Sequence, residues 1–371
     1  MAILPLYAAS FGVSYALVGL ATSAAAIGTL VTDVPAGAML SHIGLRTSMI
    51  AGAGLVTVCT LALVWSDQFP GLILLRFLGG IGTALWALSR HAYIAQAIPV
   101  AQRGKALSMF GGINRLGIFA GPAIGGFLTD AAGIHVTFGL SALHSGLALV
   151  MSMTFLRGVE PAKSTAGARA RWATVGHGMR THAAEMSAAA IAQTLGQMIR
   201  AGRLLIIPLW GAHLGLDAAQ IGTIVTVGAV IDVSLFVPAG WLMDRFGRKV
   251  AAVPSFSLMA IGIGLIPFTH DFLTLMLAAM LIGLGNGLGA GLMMTLGADL
   301  APPGATGEFL GIWRLIGDMG AVFGPLVVGL VASSVGLAGG AWVLAVAGAM
   351  AVFTLAVLVQ ETRQGPLDER Q

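Results

Sequence analysis

Apolar runs of about 20 residues, parted by short polar turns, follow one another along almost the whole chain, and that is the length a helix needs to cross a bilayer. They fall at residues 16–40, 48–66, 71–98, 106–128, 136–156, 184–210, 219–243, 250–268, 273–300, 309–332 and 341–359. These are eleven full spans, and a stub at 1–9 would be a twelfth. The runs do not alternate, and each is about twice the length of a barrel strand, so the pattern predicts helices. The expected fold class is an all-α polytopic membrane protein.

Composition agrees. Of the 371 residues, 57% are hydrophobic and 9% are charged, and the mean hydropathy is +0.91. Soluble domains carry about 25% charged residues, so this chain cannot cover a water-facing surface. The 53 glycines suit close helix packing in lipid. A sequence pI near 9.7 suggests nucleic acid, but the basic residues are too scattered for such a partner. Cys59 is the single cysteine, which excludes an intrachain disulfide framework or thiolate metal site. Met1 has no basic region after it, so no cleavable signal peptide is expected.

The charges orient the spans. The loops at 41–48, 99–106, 157–183, 244–249 and 301–308, with the tail from 360, hold thirteen of the nineteen Lys and Arg. The opposite loops, at 10–15, 67–70, 129–135, 211–218, 269–272 and 333–340, hold none, but carry Asp67, Asp130, Asp217 and Asp271. Lys and Arg stay on the cytoplasmic side, so the first set of loops and the C-terminus are expected there, in a cell membrane. The long loop at 157–183 separates a first bundle (1–156) from a second (184–371).

Shifted by 203 residues, the chain meets itself. Pro5, Pro35, Pro99 and Pro122 fall on Pro208, Pro238, Pro302 and Pro325. Gly12, Gly19, Gly44, Gly80, Gly82, Gly117, Gly121, Gly126 and Gly133 fall on Gly215, Gly222, Gly247, Gly283, Gly285, Gly320, Gly324, Gly329 and Gly336. An even number of spans per half gives a parallel repeat, as in transporters with two six-helix halves. Met1 falls on Leu204, so residues 184–203 have no counterpart, and the repeat predicts about 20 residues of a first helix ahead of Met1.

Charge inside a membrane is costly and should face a bundle interior or a wet cavity. Arg76, Arg90, Arg115, Arg200, Arg203 and Arg314 lie within spans, with Asp33, Asp232 and Asp318. They occupy spans two, four, five, seven, eight and eleven, counting the stub as one, while spans three, six, nine and twelve contain no Asp, Glu, Lys or Arg and are expected to be peripheral. The pattern calls for a central polar path. Arg314 and Asp318 are spaced i, i+4, which also suits a structural ion pair. Asp33 sits toward the cytoplasmic end and reads as structural, and Arg76 is near enough the outer end to snorkel. Asp232 falls mid-span opposite Thr29 in the repeat, so the fold does not demand an acid there. Asp232 and Asp318 are the best proton-carrier candidates. Arg115 is the repeat counterpart of Asp318, and the two are expected to meet across the cavity.

Gly240-Trp-Leu-Met-Asp244-Arg245-Phe-Gly247-Arg248-Lys249 resembles the loop motif G-x-L-x-D-R-x-G-R-K of the major facilitator superfamily. Arg76-x-x-x-Gly80-x-Gly82 resembles that family's span-four motif. Gly117-x-x-x-Gly121-Pro122-x-x-Gly125-Gly126 resembles the span-five motif of its drug–proton antiporters, although the usual leading Gly is Ser108. The resemblance implies two six-helix halves, a cytoplasmic gate at the loop motif and a role for Arg76 in proton coupling. It also implies that Asp244 meets the start of span five, near Gly104. A carboxylate suits the orphan N–H groups of a helix start. The first copy of the loop departs from the motif: Gly37-Ala-Met-Leu-Ser41-His42-Ile-Gly44-Leu45-Arg46 has Ser41 for the Asp and little of the basic cluster.

Gly283-Leu-Gly285-Asn286-Gly287 lies inside a span without G-x-x-x-x-G-K-[ST], so it reads as helix packing, not a nucleotide loop. His144, in span six, reads as a packed histidine, and His177 and His182 as solvated loop residues. No protease motif appears, and no enzyme activity, metal or cofactor is expected. The reading is a secondary transporter, monomeric in the lipid bilayer, that takes a small-molecule substrate with protons as the coupling ion. Export of amphipathic compounds is favoured; uptake of an organic anion or other metabolite, and a non-transporting sensor on the same fold, are the alternatives.

Overall fold

The computed structural model describes residues 3–97, 100–156, 175–176, 183–302 and 305–361, without the side chains of 34–42, 91, 95–97, 100–112, 115 and 307. Among the described residues there is no strand. The first repeat contributes α1 (Leu4–Ser10), α2 (Tyr15–Ile43), α3 (Leu45–Ala62), α4 (Phe69–Ala97), α5 (Val100–Ala132) and α6 (Ile134–Phe155). The second contributes α7 (Ala183–His213), α8 (Ala218–Ser234), α9 (Phe236–Phe246), α10 (Arg248–Leu265), α11 (Phe272–Leu288), α12 (Leu292–Asp299) and α13 (Thr306–Phe353). Among the described residues, seven helical stretches are long and apolar enough to cross a membrane, and the α8–α9 pair is an eighth, bent by 41°. The long α7 misses that set because it carries Gln193, Gln197, Arg200 and Arg203.

Three expected boundaries change. The loop expected at 333–340 is helical, and α13 turns at the single non-helical residue Gly336 (φ 85°, ψ 169°). A left-handed φ is strained for any residue with a Cβ, so one glycine suffices where a loop was expected. The span expected at 219–243 breaks into α8 and α9, and the one at 273–300 breaks between α11 and α12 at Gly291 (φ 77°). On the acid-bearing loops, Asp217 and Asp271 form capping boxes, accepting from the N–H of Gln220 at 2.7 Å and of Thr274 at 2.8 Å.

The repeat is carried by the packing. A Cβ on Gly80 would meet Ala25 O at 2.0 Å, and one on Gly283 would meet Gly228 O at 2.2 Å, the same pair displaced by one repeat. Arg46 donates to Met153 O at 3.0 Å, and Lys249 to Ala356 O at 3.0 Å, again one repeat apart. Most telling are the crossings between repeats. A Cβ on Gly19 of α2 would lie 2.4 Å from Pro325 O of α13, and one on Gly222 of α8 would lie 2.5 Å from Pro122 O of α5. Each crossing puts backbone against backbone, which only small residues permit. The α2–α13 contact continues through Ala16 N–H to Ser333 Oγ at 2.7 Å and Ser23 Oγ to Val322 O at 2.8 Å.

The glycines of α13 and of α5 differ in what they meet among the described residues. Gly320 and Gly324 of α13 face α7 so closely that a Cβ would lie 2.2 Å from Thr194 O and 2.4 Å from Met198 O. Their counterparts in α5, Gly117 and Gly121, have nothing within 4 Å among the described residues, and the repeat positions matching Thr194 and Met198 fall before position 1.

Candidate functional site

Two cavities meet on that open face of α5. One, of about 470 Å³, is lined by Arg76 of α4, by Gly117, Gly121 and Gly125 of α5, and by Thr137, Ser141 and His144 of α6. The other, of about 440 Å³, lies between α5, α7, α8 and α11, and Arg203 and Asp232 stand in its wall. Gly117, Gly121 and Pro122 belong to both. The span-five glycines therefore form a smooth shared wall, and Pro122 holds the crossing against Gly222. Gly126 completes that crossing: its Cβ would meet Ala218 O at 2.4 Å.

Asp232 is the chemical centre of the second cavity. Its Oδ2 accepts from Asn286 Nδ2 of α11 and pairs with Arg203 Nη2 of α7 at 3.5 Å. The pair is about four-fifths buried on both sides. Thr29, its repeat counterpart, bonds only to the carbonyls of Ala25 and Gly80. Arg203 Nε and Asn286 Oδ1 are buried and make no hydrogen bond among the described residues, so a donor and an acceptor remain for a bound molecule. Arg200 turns away, donating to Gly289 O at 3.0 Å with its guanidinium 5.5 Å from the centre of the Phe256 ring.

A second polar cluster joins the repeats. Arg314 Nε lies 3.6 Å from Asp33 Oδ2 and 3.5 Å from Asp318 Oδ2. The i, i+4 pair expected within α13 is present, and Asp33 of α2 joins it. Arg90 of α4 stacks 4.1 Å over the Trp86 ring. Arg115 lies outside the described side chains, so its meeting with Asp318 falls outside the description.

Two expectations are corrected. Arg76 does not snorkel: its Nε is buried and the residue lines the first cavity. His144 is not packed in the interior; it is exposed on that same cavity's wall. His177 and His182 lie outside the described residues.

The loop motif is built as a clamp. Gly247 takes φ 100° and Gly44, its counterpart, φ 80°, each starting a helix where a side chain would be strained. Arg248 Nε binds Asp299 Oδ2 at 2.9 Å, and its Nη1 reaches Asp244 Oδ1 at 3.3 Å. Arg245 lies 5.5 Å from the centre of the Trp241 ring. Gly240 has nothing within 4 Å of its Cβ position. Glu361 accepts from the N–H groups of Arg248 at 2.8 Å and Lys249 at 2.9 Å, so the chain after α13 caps α10. Gly37, Ser41 and His42 lie outside the described side chains, as does the start of α5 that Asp244 is expected to meet. Sequence reasoning did not assign Asn286, Asp299 or Glu361. Asn286 had a signal, a lone amide in a glycine-rich span; Glu361 had none.

A sequence profile of the Major Facilitator Superfamily matches residues 1–186 and 189–371. The chain belongs to that superfamily. It is 23% identical over 337 residues to an uncharacterized MFS-type transporter of Methanocaldococcus jannaschii, covering 91% of this chain and 87% of the relative. It is 24% identical over 320 residues to multidrug resistance protein 1 of Bacillus subtilis, covering 84% and 80%. The crystal structure of a D-xylose–proton symporter superposes with a TM-score of 0.81 at 18% identity, covering 98% and 92% of the two chains. This superfamily member is a multi-pass membrane transporter, not an enzyme.

Proposed function

We propose that this transporter exports small amphipathic compounds in exchange for protons, by alternating access, as a monomer in the cell membrane with its C-terminus cytoplasmic. The observation that carries the reading is Asp232. A carboxylate the fold does not require stands beside Arg203 and Asn286 in the wall of a cavity of about 440 Å³, itself lined mostly by apolar side chains. An apolar pocket with a few converging polar groups suits amphipathic molecules. An intramembrane acid that exchanges its partner for a proton couples substrate movement to a gradient. The similarity to a multidrug resistance protein supports export. Protons are the only coupling species proposed; no cofactor, metal or nucleic acid takes part.

Arg76 and Arg203, one on each cavity wall, favour the second reading: uptake of an organic anion by proton symport. One experiment separates them. The protein is reconstituted in vesicles with a pH dye inside, and a lipophilic dye or an organic acid is added under an imposed proton gradient. Export predicts dye movement opposite to the protons, whereas symport predicts the acid moving with them. Asp232→Asn is expected to keep dye binding and to lose gradient-driven movement. Wild-type coupling in that variant would falsify the assignment.

A further inference from the structure

Asp33 is nine-tenths buried, and neither of its carboxylate oxygens makes a hydrogen bond among the described residues. Its ion-pair partner, Arg314 Nε, is the same atom that pairs with Asp318. One guanidinium nitrogen thus faces two carboxylates, one from each repeat. The repeat does not impose this: the counterparts of Asp33, Arg314 and Asp318 are Phe236, Gly111 and Arg115. Asp33 also lies about 20 Å along α2 from the Gly19 crossing, at 1.5 Å per residue, so it is an independent tie between α2 and α13.

We propose that Asp33 and Asp318 form a single proton site, bridged by Arg314, and that its proton latches α2 to α13. Two carboxylates beside one cation in a low-dielectric setting resist double ionisation, and a single proton relieves them. With that proton bound, one carboxyl is neutral and the other keeps the ion pair with Arg314. When α2 and α13 part, Arg314 and Asp318 stay together as an i, i+4 pair on one helix. Asp33 alone is left facing water, and the proton returns to water. Proton binding therefore favours contact, and parting releases the proton; nothing else is consumed.

The other charged groups packed around the site fit this assignment. Arg90 of α4 stacks over the Trp86 ring, with its guanidinium 4.1 Å from the ring centre. Arg46 of α3 is bound to Met153 O, and Tyr7 of α1 to Ser66 O at the opposite end of the molecule. From α7, Gln193 faces Gly317 with its neutral amide and Gln197 with its Cγ, while Arg200 and Arg203 are held by Gly289 and Asp232. Arg248 of α10 and Asp299 of α12 pair with each other. Glu185 and Glu308 lie near the starts of α7 and α13.

The inference deepens the proposed proton coupling, but its test needs no substrate. The full chain with Cys59→Ser carries nitroxide labels at Ile43 and Thr306, exposed positions at matching ends of α2 and α13. Double electron–electron resonance then reads their separation from about pH 5 to pH 9, a range that brackets the raised values a buried carboxyl can reach. The near population is expected to grow several-fold as pH falls. Asp33→Asn and Asp318→Asn, each mimicking the neutral acid, are expected to hold the near population at every pH, and Asp33→Glu to restore the response. A wild type without pH response overturns the proposal. So does a response that survives in either Asn variant, or Asn variants fixed in the far population. The vesicle experiment on Asp232 reads transport and not this contact, so either idea can fail alone.

Discussion

Thr29 and Asp232 occupy matching places in the two repeats. Thr29 satisfies its hydroxyl on nearby carbonyls, and Asp232 reaches across to α7 and α11. That asymmetry was visible in the sequence, because an acid opposite a threonine cannot be a requirement of the fold. Its partners were not visible, because Arg203 and Asn286 are 29 and 54 residues away. The partner of Asp33 was hidden for the same reason: its position near a span end suggested a structural role, and only the packing of α2 on α13 brings it to Arg314. At the surface the logic is local and legible. Asp271 accepts from the Thr274 N–H, and that bond holds its carboxyl below the usual range. A depressed folded-state pKa means stability that is present above the unfolded value of about 3.9 and is lost as pH falls through the folded value. Asp271→Ala is therefore expected to lower the melting temperature in detergent at neutral pH. The gap to wild type should close on acidification below about pH 3.9; a gap constant with pH would refute the charged-cap account.

At the scale of helices, length and apolarity located most spans, and the constant offset between glycines revealed the repeat. What escaped was how few residues a break needs. The 333–340 stretch read as a loop because it separates two apolar runs, yet Gly336 alone turns the chain. The α8–α9 bend left no mark in hydropathy, since both pieces belong to one apolar run. The repeated glycines make a quantitative expectation possible at the α5–α8 crossing. Gly222 meets Pro122 and Gly126 backbone to backbone, so a leucine has nowhere to go but through the contact. Overpacking of this kind costs about 1–3 kcal/mol. Gly222→Leu should therefore lower thermal stability in detergent and sharply reduce transport. Gly240→Leu serves as the control, since nothing among the described residues lies within 4 Å of its Cβ position, and it should be well tolerated for stability. Equal loss in both variants would mean that the crossing is not the tight contact described.

The whole molecule joins its two repeats through crossings related by the same 203-residue shift, Gly19 on Gly329 and Gly222 on Gly126. The shift was legible in the sequence; that the shifted glycines meet each other across the repeats was not, because a repeat fixes each half and leaves their docking open. Docking by backbone contact has a mechanical consequence. Small residues allow helices to roll and slide, whereas a covalent tie at the same place should not. Ala16 N–H bonds to Ser333 Oγ at 2.7 Å, so these two touching positions are the ones chosen for a cysteine cross-link across the α2–α13 crossing. In a Cys59→Ser background, oxidation of Ala16→Cys/Ser333→Cys is expected to stop transport, and reduction to restore it. Dye binding should survive oxidation, because the cavity wall formed by Arg203 and Asp232 lies away from this contact. Transport that continues at full rate in the oxidised protein would mean that this crossing does not open during the cycle. Alternating access would then have to run on the α5–α8 side alone.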